Sequence, residues 1–417
     1  MIKIDQITLK GFKNISLNEL EFKNFNVIVG PNNSGKSNFF SFFTFIDFII
    51  NGSTDSVQRF FEGKFYHRDY MKVFFSNLNT AEGKIEFELK FSNTNLKESY
   101  VYNLLLNAKK KDVGMVMGEK RIISESLSYK KINKTGPANS IFKRENEKVS
   151  YGSDVIEKNI IKEISPYISV IRILKLLPSI EKGNGYSKVI EILDTLIKSP
   201  IYYFSNLELI KEDTSKVFKF HERIVAIDLI NEIVTLSKSK SFDLFKQTLK
   251  QILKIEDVLV LQMEKPRPKS PSESSTEETD NPHYLIFYRH FNNFKQLDEL
   301  SDGSRLLIAL IAKILTSKSE LFLIEEPENS IHPKALVDLM NFMRMFEDET
   351  QFIINTHSVP LINAVKPENI IVASCKKEGI SEFHRIADLK ELYKRLKQSQ
   401  LNFSDEVFFN PDDPLIN

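Results

Sequence analysis

Residues 30–37 combine two glycines, a lysine and a serine in a spacing that suits phosphate binding. The loop consists of Gly30, Pro31, Asn32, Asn33, Ser34, Gly35, Lys36 and Ser37. Glycines let backbone N–H groups turn inward around a phosphate, the lysine reaches its outer oxygens, and the serine hydroxyl is placed to ligate Mg²⁺. The apolar stretch 25–30 precedes the loop and a helical pattern at 37–50 follows it, as this chemistry requires. A structural glycine turn is the alternative interpretation.

Two adjacent carboxylates, Glu325 and Glu326, follow the apolar stretch 321–324. A buried strand that ends in acidic side chains can deliver them to the metal and water side of a nucleotide. We expect Glu325 to hold Mg²⁺ through water, and Glu326 to act as the general base on the attacking water. Two surface glutamates are the alternative, although an apolar strand is an unusual place for them.

Two further segments carry polar groups suited to a γ-phosphate. Ser301 and the backbone of Gly303 lie in the sequence Leu-Ser-Asp-Gly-Ser-Arg, beside a helix predicted at 304–316. Because the positive end of a helix binds anions, this turn could contact a phosphate held by a second copy; an ordinary helix cap is the alternative. His357 follows the predicted strand 351–355, where it could contact the same phosphate or be a satisfied polar residue.

The order of these segments resembles that of ABC-type ATPases: phosphate loop, signature at 300–305, Walker B, D-loop at 329–333 and switch histidine. The resemblance implies an α/β ATPase head, with a mixed sheet flanked by helices and an antiparallel β subdomain. It also implies ATP and Mg²⁺ as cofactors and a dimer that closes around the nucleotide. The first Walker B carboxylate is usually an aspartate, so Glu325 is a departure that affects the metal geometry. The glutamine of the Q-loop cannot be placed.

The spacing of the motifs separates this chain from transporter subunits. There are 265 residues between Gly35 and Ser301, far more than in a transporter nucleotide-binding domain. The chain is instead similar to the AAA-type ATPases related to the OLD (overcoming lysogenization defect) and RecF proteins, over residues 1–50 and 283–375. That group includes stand-alone ATPase subunits of Septu-type antiphage defence systems.

The resemblance also implies a partner. In this group the ATPase often precedes a Toprim nuclease on the same chain, or works with a separately encoded nuclease. Sixty residues follow His357, and Asp412 and Asp413 do not supply the Asp-x-Asp pair of a Toprim domain. We therefore expect a homodimer or higher homo-oligomer that acts with a separate nuclease effector.

Hydrophobic periodicity predicts the organisation of the chain. Alternating patterns predict strands at 2–9, 83–91, 99–106 and 121–130, of which the last three suggest a small antiparallel sheet. The predicted regions are an N-terminal half of the head (1–150), a helical insertion (151–264), a disordered loop (265–282), a C-terminal half of the head (283–385), and a C-terminal helix and tail (386–417). The loop assignment rests on a Pro-, Ser- and acid-rich composition.

Composition favours a soluble cytoplasmic protein. The 417 residues are 41% hydrophobic and 27% charged with a net charge of +1, which argues against a basic shell that coats nucleic acid. The longest apolar run, 39–50, directly follows the phosphate loop, so a buried helix explains it better than a membrane span. The sequence after Met1 lacks a leader pattern, and the lone Cys375 excludes a cysteine-built zinc site.

Three functions remain open. The leading hypothesis is an ATPase whose dimerised heads control a separate nuclease in antiphage defence. The second is a RecF-like DNA repair or chromosome-maintenance ATPase that binds DNA directly, since eleven Lys/Arg against five Asp/Glu lie between Lys109 and Lys148. A solvated surface also explains that basic excess. The third is a nucleotide-binding scaffold in which ATP sets assembly and turnover is slow.

Overall fold

The computed structural model describes residues 1–62, 84–107, 121–152, 162–176, 185–197, 201–203, 210–211, 227–263, 284–296, 299–317, 321–376, 379–399 and 402–409. The chain divides into two compact units. The first unit comprises Met1–Tyr202, Ser319–Glu325 and Phe346–Asn417, and the second comprises Tyr203–Lys318 and Glu326–Met345.

Strands and helices alternate along much of the chain. The strands are β1 (Ile2–Phe12), β2 (Ile15–Glu21), β3 (Phe25–Val29), β4 (Lys84–Asn93), β5 (Glu98–Asn107), β6 (Arg121–Lys131), β7 (Asn139–Glu145), β8 (Lys148–Tyr151), β9 (Ile201–Tyr203), β10 (Ile210–Lys211), β11 (Ile227–Asp228), β12 (Asp257–Gln262), β13 (Tyr284–His290), β14 (Asn293–Gln296), β15 (Leu321–Glu325), β16 (Gln351–Asn355), β17 (Ile370–Cys375) and β18 (Ser381–Arg385). The helices are α1 (Lys36–Asn51), α2 (Thr54–Glu62), α3 (Val170–Leu176), α4 (Gly185–Ile197), α5 (Leu229–Ser237), α6 (Phe242–Leu253), α7 (Asp302–Thr316), α8 (Pro333–Arg344), α9 (Val359–Ala364), α10 (Leu389–Ser399) and α11 (Phe403–Phe409). Two 3₁₀ turns cover Pro327–Asn329 and Pro367–Asn369.

A mixed sheet of thirteen strands organises the first unit, in the order β8-β7-β6-β5-β4-β1-β2-β18-β17-β3-β16-β15-β9. Strands β17, β3, β16 and β15 are parallel neighbours, whereas β4 to β8 form an antiparallel meander. The sequence suggested a separate small sheet for this meander. The structure instead joins it to β1, where Lys3 pairs with Ser92 and Thr8 with Glu88. The second edge of β1 needs hydrogen-bond partners, and β4 supplies them.

The parallel centre of the sheet forms the core of the first unit. Every residue of β3, β15 and β16 is buried, which explains why these strands read as uninterrupted apolar runs. Helix α1 buries most of its phenylalanines, and the Phe42 ring lies 5.2 Å from that of Phe12. The apolar run 39–50 is therefore a core helix, as predicted. None of the helices that the structure describes is long and apolar enough to cross a membrane.

The Gln351 side chain connects two distant parts of the sheet. Its Oε1 accepts a hydrogen bond from Ile4 N, and its Nε2 donates to Ile4 O, both at 2.8 Å. In the sheet order, four strands lie between β1 and β16. The sheet must curl for this buried contact to form.

The second unit places a helical group beside a three-stranded antiparallel sheet. Helix α7 packs on α5, α6 and α8, and the sheet order is β12-β13-β14. On α7, Lys313 Nζ donates to the Glu232 carboxylate of α5 at 2.6 Å. The buried Val258, Ile286 and Tyr288 lie on one face of the small sheet. Alternation along these strands thus separates a core face from an outer face.

The region predicted as a helical insertion, 151–264, is only partly helical. Its described residues form α3 to α6 but also the short strands β9 to β12, and β9 pairs at the edge of the large sheet. Isolated two- and three-residue strands give no periodic signal in a sequence. The predicted disordered loop, 265–282, lies outside the described residues. The predicted domain boundaries as a whole stay a prediction.

Candidate functional site

The loop between β3 and α1 is shaped by two close backbone approaches. A Cβ on Gly30 would lie 2.1 Å from the carbonyl oxygen of Ala373, in the neighbouring strand β17. Gly35 has φ +90°, and a Cβ there would lie 2.4 Å from Ser381 Oγ. Glycine is required at both positions because any side chain would meet the sheet. The loop is therefore pressed against the carboxyl edge of the sheet.

Lys36 begins helix α1 and lies beneath the loop. Its side chain is buried, and Nζ donates to the carbonyls of Gly30 and Pro31, each at 2.8 Å. Ser34 is also buried, whereas Ser37 in the first turn of α1 is exposed. The first amides of a helix have no partners within it and carry its positive end. A buried cation and these amides together suit a phosphate.

Several polar residues beside the loop were not found from the sequence. Asn14, in the turn between β1 and β2, donates to Ser381 Oγ at 2.7 Å and accepts from Asn38 Nδ2 at 2.7 Å. Lys13 Nζ donates to Asn38 Oδ1 and Ser41 Oγ, both at 3.1 Å. These residues surround the first turn of α1. The only local signal is a Lys-Asn pair in a tight turn, where Lys13 has φ 51°.

Glu325 ends the buried strand β15 and is itself buried. Its Oε1 accepts a hydrogen bond from Asn355 Nδ2 at 3.3 Å, across from β16. Burial lowers the pKa of Lys13, and the negative charge of Glu325 opposes that shift. Glu325 pairs with Asn355 and Asn355 pairs with Ile28 in parallel register, so Glu325 lies at the sheet edge where the loop begins.

Glu326 leaves the strand in a different direction. Its φ of 48° and ψ of 56° are left-handed, which is strained for a glutamate and breaks the alternation of β15. Its carboxylate Oε2 accepts a hydrogen bond from Asn329 Nδ2 at 2.9 Å. Unlike Glu325, this side chain is not fully buried. The two adjacent carboxylates thus have separate surroundings.

His357 follows β16 at the same edge of the sheet. Strands β16 and β3 are parallel neighbours, so the residues after each strand emerge side by side. His357 is exposed, and the preceding Thr356 is buried, with its amide bonded to the Ile28 carbonyl at 3.0 Å. Ser358 then begins α9 as its N-cap residue. The histidine therefore has a fixed backbone and a side chain open to solvent.

The signature turn belongs to the second unit. Ser301 is the N-cap residue of α7, and its Oγ accepts from Ser304 N at 3.4 Å. A Cβ on Gly303 would lie 2.0 Å from the carbonyl oxygen of Ser330. Ser301 thus caps the helix, and Gly303 permits a close backbone contact. The predicted contact of both residues with a phosphate on a second copy stays a prediction.

The residues of the first unit fit a magnesium nucleotide. Within the described ranges, no three His, Cys, Asp or Glu side chains form a metal-binding cluster. Mg²⁺ in nucleotide sites is usually held by one or two protein oxygens together with phosphates and water, so such a cluster is not required. The exposed hydroxyl of Ser37 and the buried carboxylate of Glu325 are oxygen ligands of the required kind.

The chain matches one protein family and one curated relative by sequence. The family described as "AAA domain, putative AbiEii toxin, Type IV TA system" matches residues 25–363. The uncharacterized ABC transporter ATP-binding protein YfmM of Bacillus subtilis (strain 168) is 27% identical over 127 residues, which is 28% of this chain. The match covers 24% of YfmM, so this chain spans about a quarter of that relative.

Solved structures of SMC heads are also similar. The SMC head bound to the C-winged helix domain of ScpA aligns with a TM-score of 0.50 at 13% identity, and covers 94% of this chain and 99% of that one. An SMC head with an extended coiled coil, bound to the C-terminal domain of ScpA from Pyrococcus furiosus, has a TM-score of 0.47 at 13% identity. That alignment covers 96% of this chain and 100% of the other. The first alignment shows that the fold is an SMC- and ABC-type ATPase head.

Proposed function

Since this chain belongs to the AAA-domain family that matches its residues 25–363, an ATP-binding P-loop ATPase family, we propose that two copies bind and hydrolyse ATP between them. We further propose that this cycle controls a separately encoded nuclease. Members of the family typically hydrolyse ATP. One observation carries the proposal: the loop 30–37, Glu325 and His357 follow three adjacent parallel strands at one sheet edge.

In this proposal the phosphate loop binds the nucleotide. The N–H groups of the loop and of the first turn of α1 donate to the β-phosphate, and Lys36 turns its ammonium group to the β- and γ-oxygens. Before nucleotide binds, the Lys36 contacts with the Gly30 and Pro31 carbonyls keep its ammonium group beneath the loop, from where it can turn to the phosphates. Asn14 and Lys13 support the same turn from the sheet.

Hydrolysis would then depend on the two carboxylates and the histidine. Ser37 and Glu325 would hold Mg²⁺, which neutralises developing charge on the phosphates. Glu326 would accept a proton from the attacking water as general base, and its partial exposure lets that water reach it. His357 would donate a hydrogen bond to the γ-phosphate from its fixed position after β16.

The second copy would complete each site. Ser301 and the Gly303 amide stand at the positive end of α7, and the Ser301 and Asp302 side chains are exposed. That surface suits the γ-phosphate of a nucleotide held by another chain. An isologous dimer of this kind contains two equivalent sites, each with a phosphate loop from one copy and a signature turn from the other.

A closed dimer is the state that tests this proposal. Glu326→Gln should bind ATP but hydrolyse it slowly, so that a dimer accumulates with ATP and is seen by size-exclusion chromatography with light scattering. Lys36→Ala should stay monomeric under the same conditions. Glu326→Gln with unchanged turnover and unchanged assembly would show that the base is assigned wrongly.

Mixing variants tests the shared site. A mixture of Lys36→Ala and Ser301→Ala chains forms some dimers in which one site keeps both an intact loop and an intact signature turn. The mixture should therefore recover at most part of the wild-type turnover. Full activity in each single variant would rule out the shared site.

The nuclease partner rests on family resemblance. The matched family's description names a toxin of a type IV toxin–antitoxin system, which favours a role in a defence module over transport. Co-expression with the neighbouring reading frame, followed by purification and a DNA cleavage assay with and without ATP, tests this role. The absence of a nuclease or any other toxic effector beside the gene would count against this role.

Direct DNA binding is the second candidate function, since the fold is also that of chromosome-maintenance ATPases. Within the basic stretch 109–148, Lys131, Lys134 and Lys148 are exposed, whereas Arg144 is completely buried and unsuited to DNA contact. Salt-dependent DNA binding by the isolated protein, lost when the three lysines are changed to glutamate, would favour this function. Binding that is insensitive to these changes would oppose it.

A further inference from the structure

We propose that Asn329 is a positioning residue for Glu326, and that residues 329–330 couple the signature turn to this carboxylate within one chain. The inference rests on the proposed function, in which Glu326 is the general base. It is carried by two contacts inside the second unit, one on each side of the peptide that joins Asn329 to Ser330.

The first contact holds the carboxylate. Asn329 Nδ2 donates to Glu326 Oε2 at 2.9 Å, and the Asn329 amide donates to the Glu326 carbonyl at 3.2 Å. The turn between them is rigid, because Pro327 is buried and fixes one φ angle while Glu326 is held at φ 48°. A hydrogen bond from a neutral amide to a carboxylate is of the strong, charge-assisted kind. Asn329 therefore selects one orientation of the Glu326 side chain.

The second contact joins the same segment to α7. The ideal Cβ position of Gly303 lies 2.0 Å from Ser330 O and 3.8 Å from the Cα of Ile331. The backbone of the first turn of α7 therefore lies directly against the Ser330 carbonyl. Ile331, the next residue, is buried and anchors the far end of the segment. The segment has little room to move independently of that turn.

These contacts give the signature turn a route to the base of its own chain. When Ser301 and Gly303 engage a phosphate, the first turn of α7 becomes fixed. The Ser330 carbonyl that lies against this turn is then fixed as well. The Asn329 side-chain amide in turn holds the Glu326 carboxylate in position for the attacking water. Each copy would thus align its own base when its signature turn is engaged by the other copy.

Steady-state kinetics on Asn329 variants test the positioning role. Asn329→Leu keeps the size of the side chain and removes its donor, so kcat for ATP hydrolysis should fall about tenfold, while KM changes less than about twofold. Asn329→Ser keeps a donor and should recover part of the loss. Asn341→Leu, at an exposed site in α8, is the matched control and should behave as wild type. An unchanged kcat, or a change confined to KM, would overturn the proposal.

A double-mutant cycle separates positioning from general damage. In a Glu326→Ala background there is no carboxylate to orient, so adding Asn329→Leu should not slow the residual single-turnover rate further. A further tenfold loss in that background would overturn the proposal. Failure of the proposed function has a different signature, which is wild-type turnover unaffected by Lys36→Ala and Glu326→Ala. In that case the role of Asn329 falls with it.

Mixed dimers with two affinity tags test whether the coupling acts within one chain. One chain carries Glu326→Ala, so both phosphate loops still bind ATP and both signature turns can be engaged, while the general base is Glu326 of the other chain. Asn329→Leu should abolish most turnover when it is placed on the chain with intact Glu326, and should have little effect on the Glu326→Ala chain. The reverse dependence would mean that Asn329 acts across the dimer, and would refute the within-chain route.

Discussion

Lys36 and Arg144 are both buried cations of the first unit, but their surroundings differ. Lys36 contacts two carbonyls of a loop whose outer residues Pro31, Asn32 and Asn33 face solvent. Arg144 donates to the carbonyls of Asn146, Ile168 and Ser165. It also lies 4.0 Å from the equally buried Glu125.

The two sites show how a buried charge beside an open loop differs from one in a closed network. Glu125 accepts hydrogen bonds from Tyr102 Oη, Ser169 Oγ and Val170 N, all of them enclosed, so its cluster joins β5, β6 and β7 to the start of α3. No exposed residue takes part in those three bonds. The cluster is a closed network that supports the fold. At Lys36 the charge is buried but the loop above it is open to a ligand.

Arg144→Met should give the largest effect and should act on stability alone. Removing one partner of a buried ion pair leaves the other charge uncompensated, which costs about 3–5 kcal/mol of unfolding free energy. Chemical denaturation measures this, and ATP affinity of the folded variant should be unchanged. Lys143→Met is the control, since its ion pair with Glu145 is exposed to solvent and its loss should leave the stability nearly unchanged. A loss below 1 kcal/mol for Arg144→Met would break the comparison.

Lys36→Ala should show the opposite behaviour. Loss of a charge-assisted contact to phosphate should weaken ATP binding about a hundredfold, by calorimetry or a fluorescent ATP analogue. The Tm without nucleotide should fall less than in Arg144→Met, because Pro31 is exposed and its carbonyl can accept a hydrogen bond from water instead. Lys10→Ala, on an exposed position of β1, serves as control. Equal ATP affinity in Lys36→Ala and wild type would show that Lys36 does not contact the phosphates, and its contrast with Arg144 would be lost.

Gly35→Ala tests whether the sheet shapes the loop. The left-handed backbone and the approach to Ser381 should cost roughly 1–3 kcal/mol, expressed mainly as weaker ATP binding. Because Ser381 Oγ and Cβ are the nearest atoms, the double variant Gly35→Ala/Ser381→Gly should recover part of that affinity relative to Ser381→Gly alone. No recovery would mean that backbone strain accounts for the whole effect.

A pH series on Glu125→Gln should give the smallest effect. Burial raises the pKa of Glu125 above its ordinary 4.5, against the opposing hydrogen bonds from Ser169 and Val170. The folded state therefore holds this proton more tightly, and the contribution of Glu125 to stability is full below pH 4.5 and is lost as pH rises through the folded pKa. The stability of wild type relative to Glu125→Gln should therefore rise as the pH falls from neutral towards 4.5. A difference that does not vary with pH would contradict the assignment.

Much of the ATPase head could be predicted from sequence because its signals are local. The loop 30–37 and the helices α1 and α7 are contiguous patterns, and strand β16 has the predicted bounds. The sequence also placed the adjacent carboxylates Glu325 and Glu326 at the end of a buried strand, and β15 is buried and ends at Glu325. The chemical roles of these residues stay predictions.

The missed features depend on tertiary contacts. Asn14 and Ser381 are 367 residues apart and meet only because β18 lies next to β2 in the sheet. In the sequence, Arg144 adds to the basic excess of residues 109–148 in the same way as its neighbour Lys143. In β7, side chains point alternately to the two faces of the sheet, so Arg144 points inward while its two neighbours point outward. A count of charges does not show in which direction each side chain points.

The sheet order also constrains when, during its synthesis, the protein can first bind nucleotide. Strand β3, which leads into the phosphate loop, lies between β16 and β17, and both are translated after residue 350. Until they emerge from the ribosome, the loop lacks the Ala373 backbone that lies against Gly30. Nucleotide binding is thereby deferred until nearly the whole ATPase head has been made.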